Sequence, residues 1–134
     1  MEEIYKKYPY FSKLVKINSS IINDKNNIRL NSEEDLKYFD GLLRNLYEVL
    51  KTTQDIDKIL LNLLNLVGKL LYYQPFYDGN SRTLKIFLNI VLKELGYNIL
   101  YKEDDYIIPM LFDSDVCSID EVIEFKKKVG LKRR

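Results

Sequence analysis

The sequence contains no histidine and no tryptophan, and its 134 residues include a single cysteine. Without histidine, the chain lacks the commonest general base at neutral pH and the commonest nitrogen ligand of metal ions. The lone thiol, Cys117, excludes an internal disulfide and a cysteine-based zinc site, and it suits a reducing compartment. The net charge of +1 supplies no overall field, which argues against a nucleic acid or a membrane as partner.

What is present is typical of an ordinary globular protein. The chain is 46% hydrophobic and 31% charged, and its length fits a single domain, residues 1–134. Asparagine or lysine interrupts the longest apolar stretches, so no membrane span is expected. No apolar run follows a basic start, so no signal peptide is predicted and a cytoplasmic location is expected.

Helical periodicity dominates the first half of the chain. Asn31 or Ser32 can cap a helix whose apolar face is formed by Leu36, Phe39, Leu43, Leu46 and Leu50. The next predicted helix covers residues 52–73, with Thr52 or Thr53 as its cap, and it is apolar almost all round. Such a helix is typical of the centre of a helical domain, where other helices surround it.

The remaining segments are shorter. A helix is predicted from about Arg82 to Leu95, ended by Gly96, and a short helix interrupted near Pro9 is predicted for residues 4–15. Residues 17–30 carry two short apolar runs around an asparagine-rich turn, which predicts a small hairpin. Residues 118–134 predict a last helix with a basic tail, bounded by a capping box and a glycine, Ser118, Glu121 and Gly130. The expected fold is therefore all-α with a small β-hairpin.

Two groups of charges allow two interpretations each. Four aspartates could act as paired carboxylates, but their setting favours turn and cap residues: Asp104, Asp105, Asp113 and Asp115. The basic tail could touch nucleic acid or an acidic partner, but it is better interpreted as a solvated helix end that complements the helix dipole.

The most informative stretch is "QPFYDGNSRTLK", residues 74–85. Gly79 permits backbone angles that other residues resist, and the amides of residues 79–82 would be unpaired donors that can converge on an anion. The side chains of Arg82 and Lys85 add positive charge, and Asp78 offers a hard oxygen ligand that suits Mg²⁺ beside nucleotide phosphates. From the residues alone, a phosphate site and a plain connecting turn are equally supported.

The stretch resembles the signature H-P-F-x-[DE]-G-N-G-R-x-x-R of the Fic (Fido-domain) family. Six of the nine specified positions match: Pro75, Phe76, Asp78, Gly79, Asn80 and Arg82. Three depart from it: Gln74, Ser81 and Lys85. The surroundings also agree, because an apolar helix precedes the loop, a helix follows it and a hairpin is predicted upstream.

The resemblance implies a fold and an activity. Members of the Fic family have a helical core whose loop binds a nucleoside triphosphate, and they usually transfer AMP from ATP to a hydroxyl group of a protein. By position, Asp78 is expected to hold Mg²⁺, and Phe76 is expected to anchor the loop in the core. The expected phosphate-binding residues are Gly79, Asn80, Ser81, Arg82 and Lys85. The hairpin at 17–30 is expected to act as a flap that aligns a segment of a target protein.

Each departure weakens the same reaction. Gln74 stands where the family has its histidine base, and a neutral amide cannot take a proton at neutral pH, which typically costs about 10²–10⁴-fold in rate. Ser81 adds a Cβ where backbone approaches phosphate, and Lys85 keeps the charge of an arginine but loses its planar pair of donors. We therefore expect Mg-dependent nucleotide binding with impaired or absent AMP transfer. An active transferase with a non-histidine base and a non-enzymatic interaction domain remain the alternatives.

Overall fold

The computed structural model of the chain describes residues 6–24, 27–30, 32–98 and 118–133. Five α-helices lie in these residues, and two strands of two residues each form a small antiparallel sheet. The helices are α1 (Phe11–Ile22), α2 (Glu33–Thr52), α3 (Ile56–Tyr73), α4 (Asn80–Glu94) and α5 (Ile119–Val129), and the strands are β1 (Tyr97–Asn98) and β2 (Lys132–Arg133). The predicted all-α class with a small β element is confirmed.

Helix α3 is the centre of the domain, as its apolar sequence predicts. It packs against α2, α4 and α5, and eight of its residues are buried. The predicted cap at Thr52 or Thr53 is wrong, because α2 continues through Thr52 and the side chain of Asp55 caps α3 by accepting a hydrogen bond from Asp57 N–H. The carboxylate at Asp55 suits this position better, since it also complements the positive end of the helix dipole.

The other predicted helix boundaries agree closely with the structure. Ser32 caps α2 by accepting from Asp35 N–H, and four residues of the predicted stripe are buried: Leu36, Phe39, Leu43 and Leu46. Helix α4 ends two residues before Gly96, which has a φ of 89°. Helix α5 has its capping box and ends at a left-handed glycine, as Ser118, Glu121 and Gly130 predict.

The N-terminal predictions need correction. Residues 6–7 are helical and the helix is interrupted at residues 8–10, as predicted near Pro9, but the helix that follows runs from Phe11 to Ile22 and does not end at residue 15. Its N-terminus is capped from another helix. Asp40 of α2 accepts hydrogen bonds from the N–H groups of Tyr10 and Phe11, at 2.8 and 2.9 Å. This contact lies about thirty residues away along the chain, so local pattern could not reveal it.

The hairpin predicted for residues 17–30 is wrong in its first half. Residues 17–22 are helical, because Leu14, Val15 and Asn18 continue one buried helical face. In the second half, Ile28 forms an antiparallel bridge with Phe76 of the loop. The β contact of this segment is therefore made with residues 74–79, the part of the signature that joins α3 to α4 and is called the signature loop below.

Two further observations concern the chain as a whole. No helix among the described residues combines the length and the apolar character that crossing a membrane requires. The aspartates at 104, 105, 113 and 115 lie outside the described residues, as does Cys117.

Candidate phosphate-binding site

The signature loop joins the central helix α3 to α4. Gln74 ends α3 in a left-handed conformation, with φ 50° and ψ 72°, and its N–H donates to the carbonyl of Leu70 at 2.9 Å. Its side chain is exposed, whereas the following Pro75 is buried. Positive φ is uncommon for glutamine, so the chain turns here against the preference of the residue that occupies the position.

Phe76 fixes the loop to the core. Its side chain is 1% exposed and stacks on Phe11 of α1, with ring centroids 6.1 Å apart and an interplanar angle of 14°. A buried aromatic pair of this kind contributes both area and specific ring geometry. The middle of the loop is therefore held at a fixed depth in the domain.

An extended segment, residues 27–30, lies along the loop and is hydrogen-bonded to it. Tyr77 N–H donates to the carbonyl of Asn27 at 2.8 Å, and Arg29 N–H donates to the carbonyl of Pro75 at 2.8 Å. The guanidinium of Arg29 also donates to the carbonyl of Gln74 at 2.7 Å and to that of Tyr73. This segment thus satisfies the carbonyls left over at the end of α3.

The side chain of Asn80 closes the loop from inside. Its Oδ1 accepts from Phe76 N–H at 3.0 Å, and its Nδ2 donates to the Phe76 carbonyl at 2.8 Å. Both functions of the amide are thereby committed to the loop. The backbone N–H of Asn80 has no acceptor among the described residues and is available to a ligand.

Two buried asparagines outside the signature hold the turn that begins α4. Asn18 of α1 donates through Nδ2 to the carbonyl of Asp78 at 2.9 Å, and Asn27 donates through Nδ2 to the same carbonyl at 2.7 Å. Asn27 also donates to Oδ1 of Asn18 at 2.8 Å, and Asn18 donates to the hydroxyl of Thr83 at 3.1 Å. The turn is therefore restrained from α1, from the extended segment and from α4 itself.

Gly79 is required at the turn for two reasons. Its φ is 76°, in the left-handed region that favours glycine. A Cβ built on it would lie 2.9 Å from Cδ1 of Ile22 and 3.2 Å from Nδ2 of Asn18. Helix α1 is therefore pressed against the backbone of the turn.

The N-terminus of α4 differs from the other helix N-termini in the described residues. Side chains accept hydrogen bonds from first-turn amides at α1, α2, α3 and α5, through Asp40, Ser32, Asp55 and Ser118. The cap of α4 is Gly79, which has no side chain, and no described group accepts from the N–H groups of residues 80–82. This end of α4 therefore presents unpaired donors together with the positive end of a helix dipole.

The charged side chains of residues 74–85 differ in exposure. Asp78 is exposed, and one of its carboxylate oxygens accepts from Gly79 N–H at 2.8 Å, which leaves the second oxygen for a ligand. Arg82 is exposed, whereas Ser81 and Lys85 are half-buried. Within the described part of the chain, no three acidic or thiol side chains lie close enough to hold a metal ion. A cation at Asp78 would therefore need phosphate oxygens and water as its other ligands, which is how Mg²⁺ is commonly bound beside nucleotides.

Sequence reasoning missed the residues that support the loop, Asn18, Asn27, Arg29 and Thr83. One signal was present, because Asn18 lies on the apolar face of α1 beside Leu14 and Val15, and it is 1% exposed. A polar side chain at such a position needs a hydrogen-bond partner. The identity of that partner, 60 residues away along the chain, could not be deduced from the pattern.

Comparison with known proteins gives no further indication, because no family model, no curated protein and no solved structure matches the chain. A function can therefore be inferred from two sources, the geometry of the loop and the signature that it resembles.

Proposed function

We propose that the chain is a Fic-like protein that binds a Mg²⁺-bound nucleotide, ATP or ADP, through residues 74–85, and that transfers AMP poorly or not at all. The observation that carries this proposal is the uncapped N-terminus of α4 within a loop that is otherwise tightly restrained. An ordinary connection has no need of such restraint, whereas a binding site requires its groups to be held in place.

The donors at this end of α4 suit a phosphate group. The N–H groups of residues 80–82 lie at the positive end of the helix, and such ends are common anion sites. Arg82 is exposed in the same first turn, and its planar guanidinium can make paired hydrogen bonds with phosphate oxygens. Lys85 follows one turn later and adds positive charge on the same side of the helix.

The exposed carboxylate of Asp78 supports the binding of a cation beside the phosphates. The hydrogen bond from Gly79 N–H orients the carboxylate of Asp78 beside the start of α4. A bound Mg²⁺ would neutralise part of the phosphate charge and hold the nucleotide against this residue. Because the protein would supply a single carboxylate to Mg²⁺, we expect the cation to bind together with the nucleotide and not to the protein alone.

The first residue of the loop supports impaired transfer. Gln74 is exposed, and its backbone carbonyl is held by Arg29, so its side chain extends from a fixed point at the end of α3. An amide cannot accept a proton from an attacking hydroxyl near neutral pH, so Gln74 cannot act as a general base.

The test of binding is calorimetric titration with ATP, with and without Mg²⁺. The wild type should bind weakly, and Mg²⁺ should strengthen the binding. Arg82→Ala should abolish detectable heat, whereas Arg44→Ala, the same change at another exposed helix position, should leave it unchanged. Asp78→Asn should remove the Mg²⁺ dependence, because asparagine can still accept from Gly79 N–H but carries no charge.

A matched control exists for the aspartate. Asp55→Asn alters another exposed aspartate that accepts a backbone N–H at a helix start, and it should not change nucleotide binding. Saturating ATP that produces neither heat nor a shift in melting temperature with the wild type would overturn the proposal.

The test of transfer uses labelled ATP with Mg²⁺. The wild type should label protein weakly or not at all, and Gln74→His should raise labelling by about 10²-fold or more, the usual contribution of a general base. Adding Ser81→Gly and Lys85→Arg to Gln74→His should raise it further. Strong labelling by the wild type would instead support an active transferase with another base.

The extended segment at 27–30 is the natural place for a target protein. In its bridge with Phe76, the hydrogen bonds flank Ile28, so the N–H and carbonyl of Ile28 face away from the loop. An extended peptide could add there as a neighbouring strand. Ile28→Pro removes that outward N–H and should abolish labelling of a target by Gln74→His without affecting ATP binding.

A non-enzymatic interaction domain is the second candidate, and exposed tyrosines around the loop favour it. Tyr72 and Tyr77 are 73% and 68% exposed, and Tyr38 and Tyr73 are nearly half exposed. Tyrosine is enriched where proteins bind one another, because it combines apolar area with a polar tip. Absence of nucleotide binding, together with partner capture that Tyr72→Ser and Tyr77→Ser abolish, would support this candidate.

A further inference from the structure

The buried polar groups of the domain are concentrated at one turn. Three of the five buried polar or charged side chains among the described residues meet there: Asn18, Asn27 and Thr83, at 1%, 6% and 0% exposure. Burying an amide is costly unless its hydrogen-bonding groups find partners. Here both donors of Asn18 and both donors of Asn27 are used, so the network is stable in this one arrangement.

The network acts on a single peptide plane, the one that joins Asp78 to Gly79. Its carbonyl faces the interior and accepts two amide donors, from Asn18 and Asn27. Its N–H points the opposite way, because the peptide is trans, and it donates to Oδ1 of Asp78. The two bonds to the Asp78 carbonyl therefore also fix the direction of the Gly79 N–H and of the exposed Asp78 carboxylate that accepts from it.

Steric contact prevents the plane from shifting towards α1. The side chain of Ile22 and Nδ2 of Asn18 lie so close to Gly79 that a Cβ there would be within 3.2 Å of both. The next turn is fixed as well, since Thr83 N–H donates to the carbonyl of Gly79 at 2.9 Å and its hydroxyl accepts from Asn18. The start of α4 and the carboxylate of Asp78 are thereby held relative to each other.

We propose that Asn18 and Asn27 are positioning residues for the phosphate site, which align the Asp78 carboxylate with the open amides of α4 so that both meet the same Mg-nucleotide. This proposal rests on the proposed nucleotide binding and extends it to two residues outside the signature. Neither residue touches the ligand. Their effect is transmitted through the peptide plane between Asp78 and Gly79.

The central variant is Asn18→Asp. It preserves shape and the acceptor for Asn27, but it replaces the donor to the Asp78 carbonyl by a second acceptor. The plane should then rotate, and the dissociation constant for Mg-ATP should rise about tenfold or more, as the loss of one well-placed hydrogen bond allows. Asn27→Asp makes the matching change from the other donor and should act in the same direction.

The control for stability is Asp40→Ala. Asp40 caps the other end of α1, where Phe11 stacks on Phe76, and it makes no hydrogen bond to the peptide between Asp78 and Gly79, so its loss should destabilise the same helix without rotating that peptide plane. Titrations are made well below the melting temperature of each variant, with Mg-ATP as the probe. Asp40→Ala should change the dissociation constant less than twofold, whereas equal weakening by Asp40→Ala and Asn18→Asp would overturn the positioning role.

Hydrogen exchange at the amides of Gly79 and Thr83 gives a readout that needs no ligand. Both should lose protection in Asn18→Asp and keep it in Asp40→Ala. Unchanged protection in Asn18→Asp would overturn the proposed restraint, even if wild-type binding is found. Selective loss of protection in a protein that binds no nucleotide would mean that the restraint is real but serves no phosphate site, which overturns the proposal together with the proposed function.

Discussion

Two short connections between consecutive helices are built in different ways. Residues 53–55, between α2 and α3, are held by their neighbours. Asp55 N–H donates to the hydroxyl of Thr53 at 3.1 Å, and Asp57 N–H donates to Asp55 at 3.0 Å. Residues 74–79, between α3 and α4, have local hydrogen bonds from Asn80 as well, but they are also held by side chains from positions 45 to 60 residues away in the sequence.

The difference supports the proposed role of the second connection in binding, beyond joining two helices. A helix pair needs only local caps and a turn, which the first connection supplies with exposed polar residues. The second includes a buried aromatic anchor, a left-handed glutamine and a buried amide network. Such excess restraint is a feature of sites whose groups must be held in one arrangement.

The largest expected difference between the two connections comes from Phe76. Phe76→Ala removes a fully buried ring that stacks on Phe11, and it should lower the free energy of unfolding by about 3–5 kcal/mol. Asp55→Ala removes the cap at the first connection and should cost about 1 kcal/mol. Urea unfolding followed by circular dichroism measures both values. Equal costs would show that the signature loop is no better anchored than an ordinary connection.

The fold could be predicted from the sequence where local chemistry decides it. The caps at Ser32 and Ser118, the buried stripe of α2 and the end of α5 at Gly130 all depend on residues within a few positions of one another. Helix α1 is capped by Asp40 and continues to Ile22, and residues 27–30 adopt their conformation by pairing with the loop, so local pattern misassigned residues 17–30. Propensity gives no information on such tertiary contacts.

The candidate site was predictable to a similar extent. The signature located the loop and its exposed charges, Asp78 and Arg82, because turn residues and a helix start are visible in sequence. The inward use of the Asn80 side chain and the support from Asn18 could not be deduced, since both depend on the path of the folded backbone. The exposed residues of this site lie in one short stretch of the sequence, whereas the residues that hold them in place are scattered along the chain.

An intermediate effect is expected at Gly79. Gly79→Ala introduces a side chain at positive φ and against Ile22, and it should lower the free energy of unfolding by about 2–3 kcal/mol. Gly96 is the matched control, since its φ is also positive but a Cβ there would meet nothing within 4 Å. Gly96→Ala should therefore cost only the backbone strain, about 1–2 kcal/mol. Thermal unfolding of the two variants separates strain from contact, and identical losses would mean that α1 does not press on the turn.

The smallest expected effect has the opposite sign and concerns Gln74. Its φ of 50° is unfavourable for a side chain with a Cβ, and its side chain is exposed, so Gln74→Gly removes strain without removing packing. We expect a gain in the free energy of unfolding of up to about 1 kcal/mol. Asn23 at the end of α1 is the control, because asparagine tolerates its φ of 56° better and Asn23→Gly should gain less. Chemical unfolding of both variants gives the comparison.

A loss of stability in Gln74→Gly would mean that the glutamine side chain supports the fold. A gain would mean that the chain retains backbone strain at Gln74, the first position of the signature, which a single substitution can remove. Such strain is expected at a position whose side chain serves binding rather than folding. Mg-ATP titration of the same variant would then distinguish the two roles, since a more stable protein with weaker binding assigns Gln74 to the site.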